Sequence, residues 1–242
     1  REFMSKASKK KKVVIEERYH GPLITNEVSL GYIKFYPWIM LPITTFLYFA
    51  GGYEDRIGII KVLFLSCILI NGFSIIFGLF NSLVNRFKSL TYILIGLVAW
   101  TIIVSFTFIG LLMFTLGEGS ISARTVNDSS LTFFYLIPIL LLFVGMTLIY
   151  AWYYLPQNQG KIWKINQWET YKVNSKKKEW LFNILGIIGI MLLFIAVMTG
   201  YVERIFGLFL GMLITLTFPA VIVDAVYAAI YIRKHPEYEE LT

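Results

Sequence analysis

The stretch that decides the fold is Leu90-TYILIGLVAWTIIVSFTFIGLLMFT-Leu116, an apolar run without a single charged side chain. At 1.5 Å per residue, a helix of this length extends about 40 Å, which exceeds the roughly 30 Å hydrocarbon core of a bilayer. Backbone amides and carbonyls in hydrocarbon need internal partners, and a helix supplies them. The run therefore predicts a membrane-spanning helix.

Five further apolar blocks accompany this one. They cover about 33–52, 57–84, 131–155, 180–201 and 205–232. The whole chain is 57% apolar and 15% charged, whereas soluble domains carry about 25% charged residues. The sequence predicts an all-α fold, a polytopic membrane helix bundle of about six transmembrane helices, and excludes a soluble domain.

The distribution of positive charge predicts the orientation of the bundle. Cytoplasmic loops of membrane proteins are enriched in Lys and Arg. If the N-terminus is cytoplasmic, nearly all of the 22 Lys and Arg residues fall in the tails and inner loops. The exceptions are Arg56, Lys61, Arg124 and Arg204. We expect a multi-pass protein of the plasma membrane with both termini cytoplasmic.

The blocks and charges also divide the chain. A basic cytoplasmic tail is expected over 1–32, six spans over 33–232 with an inner interfacial loop at 156–179, and a second cytoplasmic tail over 233–242. Arg1-Glu2-Phe3 precede Met4 and read as a cloning remnant.

A short motif recurs at two predicted external turns. Gly52-Tyr53-Glu54-Asp55-Arg56-Ile57 resembles Gly200-Tyr201-Val202-Glu203-Arg204-Ile205. The recurrence is consistent with a bundle built from helical-hairpin repeats. It is equally explained by the local preference of short external turns for Gly, Tyr and charges.

The inner loop alternates aromatic and basic residues. Its candidate lipid contacts are Trp163, Lys164, Trp168, Lys172 and Trp180. Aromatic rings favour the headgroup level and lysines attract anionic lipid. We expect this loop to contact anionic headgroups at the inner face, the alternative being a plain positive loop beside the membrane.

Motifs for catalysis and metal binding are not found in the sequence. Histidine occurs only at His20 and His235 and cysteine only at Cys67, so zinc-type ligand sets and intrachain disulfides are excluded. The chain carries no His-Glu-x-x-His or Gly-x-Ser-x-Gly motif. We expect neither an enzyme nor a cofactor, and we attribute the net charge of +7 to cytoplasmic loops rather than to nucleic-acid binding.

Asp224 is the acidic residue deepest within an apolar block. A carboxylate in hydrocarbon costs roughly 2.5–3.5 kcal/mol on insertion scales, so it normally faces protein or water. The sequence leaves two interpretations open: a buried contact, with Lys34 as the natural ion-pair partner, or an ion- or proton-coupled site.

Further polar candidates lie in or beside the blocks. Lys61 is expected near the outer end of the second span, where a long side chain can reach the interface. Asn71 and Asn81 on the second block, with Thr215 and Thr217 on the sixth, are expected to hydrogen-bond between helices. The spacing of Gly207 and Gly211 permits close helix packing.

Two functional hypotheses follow. The first is a non-enzymatic membrane protein that binds a partner, either as a subunit of a membrane complex or as an immunity-type protein against a membrane-active toxin. Its partner would be another membrane protein or a second copy of the chain. The second is a small transporter or channel in which Asp224 couples to an ion or proton.

Overall fold

The computed structural model describes residues 28–52, 55, 57–115, 126–127, 129–155, 158 and 201–234. Within these ranges the chain is helical and contains no strand. The predicted fifth span, the inner loop apart from Asn158, and most of both tails lie outside the described residues.

Six α-helices are described. They are α1 (Tyr32–Phe46), α2 (Ile59–Leu79), α3 (Asn81–Arg86), α4 (Lys88–Thr115), α5 (Leu131–Tyr154) and α6 (Val202–Lys234). A π-helical turn, Leu47–Gly51, continues α1. Four of the described helices, α2, α4, α5 and α6, are long and apolar enough to cross a membrane. The prediction of an all-helical membrane bundle is thus confirmed at this level.

The prediction of a single helix over the second apolar block, 57–84, is wrong for the last five residues. The helix ends at Leu79, and Phe80 adopts an extended conformation with φ −100° and ψ 95° before α3 begins. Asn81 and Ser82 are exposed. Asn85 and Arg86 are exposed as well, and these polar side chains favour a position outside the apolar bundle.

Helices α4 and α6 form the centre of the bundle and run antiparallel. The Ser89 hydroxyl near the start of α4 donates to the Ala229 carbonyl near the end of α6. At the opposite end, a Cβ on Gly207 would overlap the Gly110 carbonyl, so the two backbones are in direct contact there. The predicted close packing at Gly207 is confirmed.

The remaining helices pack around this pair. α1 lies antiparallel to α2, since Ile33 contacts Gly78 at one end and Gly52 contacts Lys61 at the other. α5 packs along α6 and, less extensively, along α4.

The bundle has two chemically different ends. The Arg86 end is the one at which α1 and α4 begin and α2 and α6 end. Its described cations are Lys34, Arg86, Lys88, Arg233 and Lys234. The Asp55 end, where α2, α5 and α6 begin, carries Asp55 and Glu203 together with Lys61 and Arg204.

Large apolar side chains cover the outside of the bundle. On α5, Phe134 is 72% exposed, and Phe133 and Leu141 are exposed to a similar degree. Soluble monomers rarely expose continuous apolar surface of this extent. The surface is the one expected of helices in contact with lipid.

Candidate functional site

Asp224 lies in the last third of α6 and is 1% exposed. The Tyr154 hydroxyl at the end of α5 donates to its Oδ1 atom. The backbone N–H of Val28 donates to its Oδ2 atom over 3.3 Å. One carboxylate thus joins three segments: the stretch before α1, the end of α5, and α6.

The donors to Asp224 are held in place by packing. The Tyr154 ring stacks on Tyr227 of α6, with 4.6 Å between the ring centroids. Tyr227 is three residues after Asp224 and therefore on the same side of the helix. Val28 is fully buried in a cluster that includes Tyr92 and Ala225. The geometry of the carboxylate is therefore fixed from both sides.

The predicted partner of Asp224 was wrong. Lys34 is exposed, and the described residues contain no ion pair between it and Asp224. Lysine carries a strongly hydrated ammonium group, and at the Arg86 end of α1 this group reaches solvent more favourably than it enters the bundle. Hydrogen bonds from a phenol and a backbone amide take the place of the expected ion pair.

The α5–α6 contact carries further tyrosine hydrogen bonds, which sequence reasoning missed. Tyr150 donates to the Leu216 carbonyl over 2.7 Å. Tyr135, fully buried, is placed to donate to the Gly207 carbonyl of α6 over 3.4 Å and to the Thr107 carbonyl of α4 over 3.0 Å. The available signal was the spacing of Tyr150 and Tyr154, which places both on one side of a helix.

A second buried polar group lies between α2 and α4. The Asn71 side-chain amide donates to the Cys67 carbonyl over 2.8 Å and to the Thr101 hydroxyl over 3.1 Å. This confirms the predicted inter-helix bond of Asn71. Oδ1 of Asn71 and the hydroxyl oxygens of Ser74 and Ser105 are buried without a hydrogen-bond partner in the described structure.

Of the other predicted polar residues, the two threonines and Asn81 differ from expectation, and Lys61 agrees with it. Thr215 and Thr217 bond to carbonyls of their own helix, so they do not connect helices. Asn81 is exposed at the start of α3. Lys61 lies exposed in the first turn of α2, at the end of the helix as predicted.

Asp55 organises the turn before α2. Its carboxylate accepts hydrogen bonds from the N–H groups of Gly58 at 3.0 Å and Lys61 at 3.1 Å. Gly58 has φ +78°, a left-handed conformation that suits glycine. Burial raises the pKa of Asp55, but these bonds, with those from Asn127 and Ile60, outweigh it and hold the pKa below its ordinary value.

The two predicted external turn motifs are described in part. At the start of α6 the Arg204 guanidinium lies 5.0 Å from the centre of the Tyr201 ring, and Glu203 is exposed. Tyr53, Glu54 and Arg56 lie outside the described residues. The hairpin repeat stays a prediction.

The predicted interfacial lipid contacts cannot be placed. All of them lie outside the described residues: Trp163, Lys164, Trp168, Lys172 and Trp180.

Asp224 lines neither of two cavities in the described structure. The first, about 390 Å³, lies between α2, α4 and α5. The second, about 470 Å³, lies at the Arg86 end beside Arg86 and Lys88. In the described ranges, no three His, Cys, Asp or Glu side chains are placed to hold a metal ion.

Neither a protein-family model, nor a curated protein, nor a solved structure matches this chain.

Proposed function

We propose that this is a non-enzymatic integral membrane protein that acts by binding a partner, as a subunit of a membrane complex or as an immunity-type protein. The observation that carries the proposal is the use of Asp224. Both of its oxygens accept hydrogen bonds that tie the stretch before α1 and the end of α5 to α6. A carboxylate with these two donors stabilises the packing of the three segments against one another.

The proposed arrangement has six spans, with both termini at the Arg86 end. Helix α5 ends at the Arg86 end, whereas α6 begins at the Asp55 end. The chain between Tyr154 and Val202 must therefore pass from one end to the other. Its apolar block, 180–201, has the length for this crossing. α1 with its π-helical turn passes between the same two ends.

The described charges support a cytoplasmic Arg86 end in the plasma membrane. Basic residues gather at this end, which agrees with the enrichment of Lys and Arg on the cytoplasmic side. The cavity beside Arg86 and Lys88 would accept an anionic headgroup there. The lysines and tryptophans of the loop 156–179 would extend that contact.

A binding experiment tests the proposed function. The full chain is purified from membranes of its native host in a mild detergent, and its stoichiometry is measured by native mass spectrometry. We expect one defined membrane protein, or a second copy, in a fixed ratio. A chain that is monomeric in this preparation and in chemically cross-linked membranes would overturn the proposal.

The buried polar side chains between α2 and α4 favour a small transporter or channel as the second candidate function. Asn71 Oδ1 and the hydroxyls of Ser74 and Ser105 are unpartnered in the described structure, and polar groups of this kind can line an ion path. Flux of protons or monovalent cations into proteoliposomes tests this candidate. Flux that is lost in both Asn71→Leu and Asp224→Asn would support it.

A further inference from the structure

The cavity between α2, α4 and α5 has the shape of a site for an extended apolar ligand. Its volume of about 390 Å³ falls in the range of roughly 300–1,000 Å³ typical of small-ligand sites. Leu63 of α2, Ile103 of α4 and Ile139 of α5 are among its apolar walls. None of the described lining residues is charged, so an uncharged chain fits them best.

Residues of the cavity lining are also exposed on the outside of the bundle, where lipid chains lie. Ile59 of α2 and Leu140 of α5 line the cavity and are 65% and 62% exposed. Both helices pack against α4, and the cavity occupies the space between them. A chain can therefore enter from the bilayer without passing through water.

The length of the cavity matches one leaflet. Its lining on α5 begins at Thr132, one residue into the helix, and reaches Phe143. At 1.5 Å per residue this covers about 16 Å. The distance is about half of the roughly 30 Å hydrocarbon core, which is the depth reached by an acyl chain from one side.

The described lining includes one hydroxyl that makes no hydrogen bond. Thr107 Oγ1 is buried and has no hydrogen-bond partner in the described structure. The hydroxyls of Thr132 and Thr215, which also line the cavity, donate to Val126 and Gly211 carbonyls. A buried hydroxyl without a partner is unfavourable, so rotation of the Thr107 side chain to donate to an acceptor in the cavity would be stabilising.

The position of Thr107 suits an ester carbonyl. Tyr135 reaches the Thr107 carbonyl from one turn inside the start of α5, so Thr107 lies near the Asp55 end of the hydrocarbon region. The ester groups of a phospholipid occupy the corresponding edge of the leaflet. From there the apolar walls continue for about 10 Å along α4 to Trp100, so they enclose the part of an acyl chain nearest its ester.

We propose that this cavity binds one acyl chain of a phospholipid from the leaflet at the Asp55 end, with an ester carbonyl accepting a hydrogen bond from the Thr107 hydroxyl. The site holds the lipid as a long-lived ligand of the protein and is independent of the partner-binding proposal.

A matched pair of Val→Phe variants tests occupancy. Val104 lines the cavity, whereas Val144 of α5 is 47% exposed and does not line it. The full chain is equilibrated with dioleoyl phosphatidylglycerol in mild detergent, and lipid binding is measured by native mass spectrometry. We expect Val104→Phe to weaken it by about tenfold, because the ring displaces at least two methylene groups. Val144→Phe should bind like the wild type.

The hydroxyl is tested with ester- and ether-linked phosphatidylglycerol. Thr107→Val should weaken the binding of the ester-linked lipid by roughly threefold to tenfold, the range expected for one hydrogen bond. The binding of the ether-linked lipid should not change. Thr107→Ser, which keeps the hydroxyl, should bind like the wild type. Equal binding by both Val→Phe variants, or an equal loss of both lipids in Thr107→Val, would overturn the proposal.

Discussion

At the scale of single residues, Asp224 shows what a sequence reveals about a buried acid and what it hides. A carboxylate within an apolar block is conspicuous because ionised groups are costly in hydrocarbon. Its donors are not conspicuous. Tyr154 is 70 positions away and reads as an interfacial aromatic, and Val28 is 196 positions away and donates through its backbone. Hydropathy periodicity contains no information about such neighbours.

Removing the phenol hydroxyl of Tyr154 should destabilise the protein. In Tyr154→Phe, Asp224 Oδ1 loses a buried donor, which typically costs about 1–3 kcal/mol. Tyr36→Phe, at an exposed tyrosine of α1, is the matched control. We expect a lower thermal midpoint in detergent for Tyr154→Phe and an unchanged one for the control. Equal midpoints would mean that this hydrogen bond contributes nothing to stability.

Asp224→Asn should also destabilise the protein, and Lys34→Met should not restore it. The asparagine oxygen can accept from the Val28 N–H and its amide can donate to the Tyr154 oxygen, but neither bond is charge-assisted any longer, so both are weaker. Because Lys34 is exposed, it has no buried charge to neutralise. Thermal midpoints of the single and double variants measure both effects. Recovery in the double variant would point to an ion pair between the two residues.

The contribution of Asp55 should depend on pH. Its pKa is below the ordinary value in the folded state, since the hydrogen bonds of the turn before α2 outweigh burial. The stabilisation is therefore present above the unfolded pKa of about 3.9 and is lost as the pH falls through the folded pKa. The midpoint difference between wild type and Asp55→Asn should shrink on acidification. Glu203→Gln at the same end is the control, and a pH-independent difference for Asp55→Asn would contradict this.

At the scale of elements, the glycines determine how closely α4 and α6 approach. A Cβ on Gly207 would overlap the Gly110 carbonyl and lie 2.9 Å from Met113 Cβ and 3.0 Å from Phe114 N. The spacing of Gly207 and Gly211 predicted close helix packing, and the structure confirms it at Gly207, whereas Gly211 lies against Tyr135 and Ile139 of α5. The break at Phe80 was not predictable from hydropathy alone, because Phe80, Leu83 and Val84 continue the apolar pattern across it.

A single methyl group at this contact should be destabilising. We expect Gly207→Ala to lower stability by about 1–3 kcal/mol, since the backbones must separate to accommodate it. Gly145→Ala of α5 is the control, because a Cβ there meets nothing within 4 Å, and alanine favours the helix. Detergent denaturation curves of both variants provide the test. An unaffected Gly207→Ala would show that α4 and α6 do not depend on this approach.

At the scale of the whole molecule, hydropathy predicts the helices and packing determines the rest. The blocks at 90–116 and 131–155 correspond to α4 and α5 within a few residues, because length and apolar content alone determine a span. The centring of the bundle on α4 and α6 does not follow from those quantities. It depends on complementary surfaces, at Gly110 and Gly207 for instance, that belong to distant parts of the chain.

The orientation and the number of spans can be tested together by cysteine labelling in intact cells. Cys67 is buried, so Cys67→Ala provides the background. Ile57→Cys and Glu203→Cys, at exposed positions of the Asp55 end, should react with an impermeant thiol reagent. Ser82→Cys, exposed at the Arg86 end, should react only after the membrane is permeabilised.

Ser175→Cys then locates the crossing between α5 and α6. If the block 180–201 crosses the bilayer as proposed, position 175 is on the cytoplasmic side and behaves like Ser82→Cys. If Ser175→Cys were labelled from outside while Ser82→Cys was protected, the chain would have to cross the bilayer before residue 175. That stretch is rich in lysine, and each lysine at a helix centre costs roughly 2.5–3.5 kcal/mol on insertion scales. We therefore expect protection at both positions and exposure at the Asp55 end.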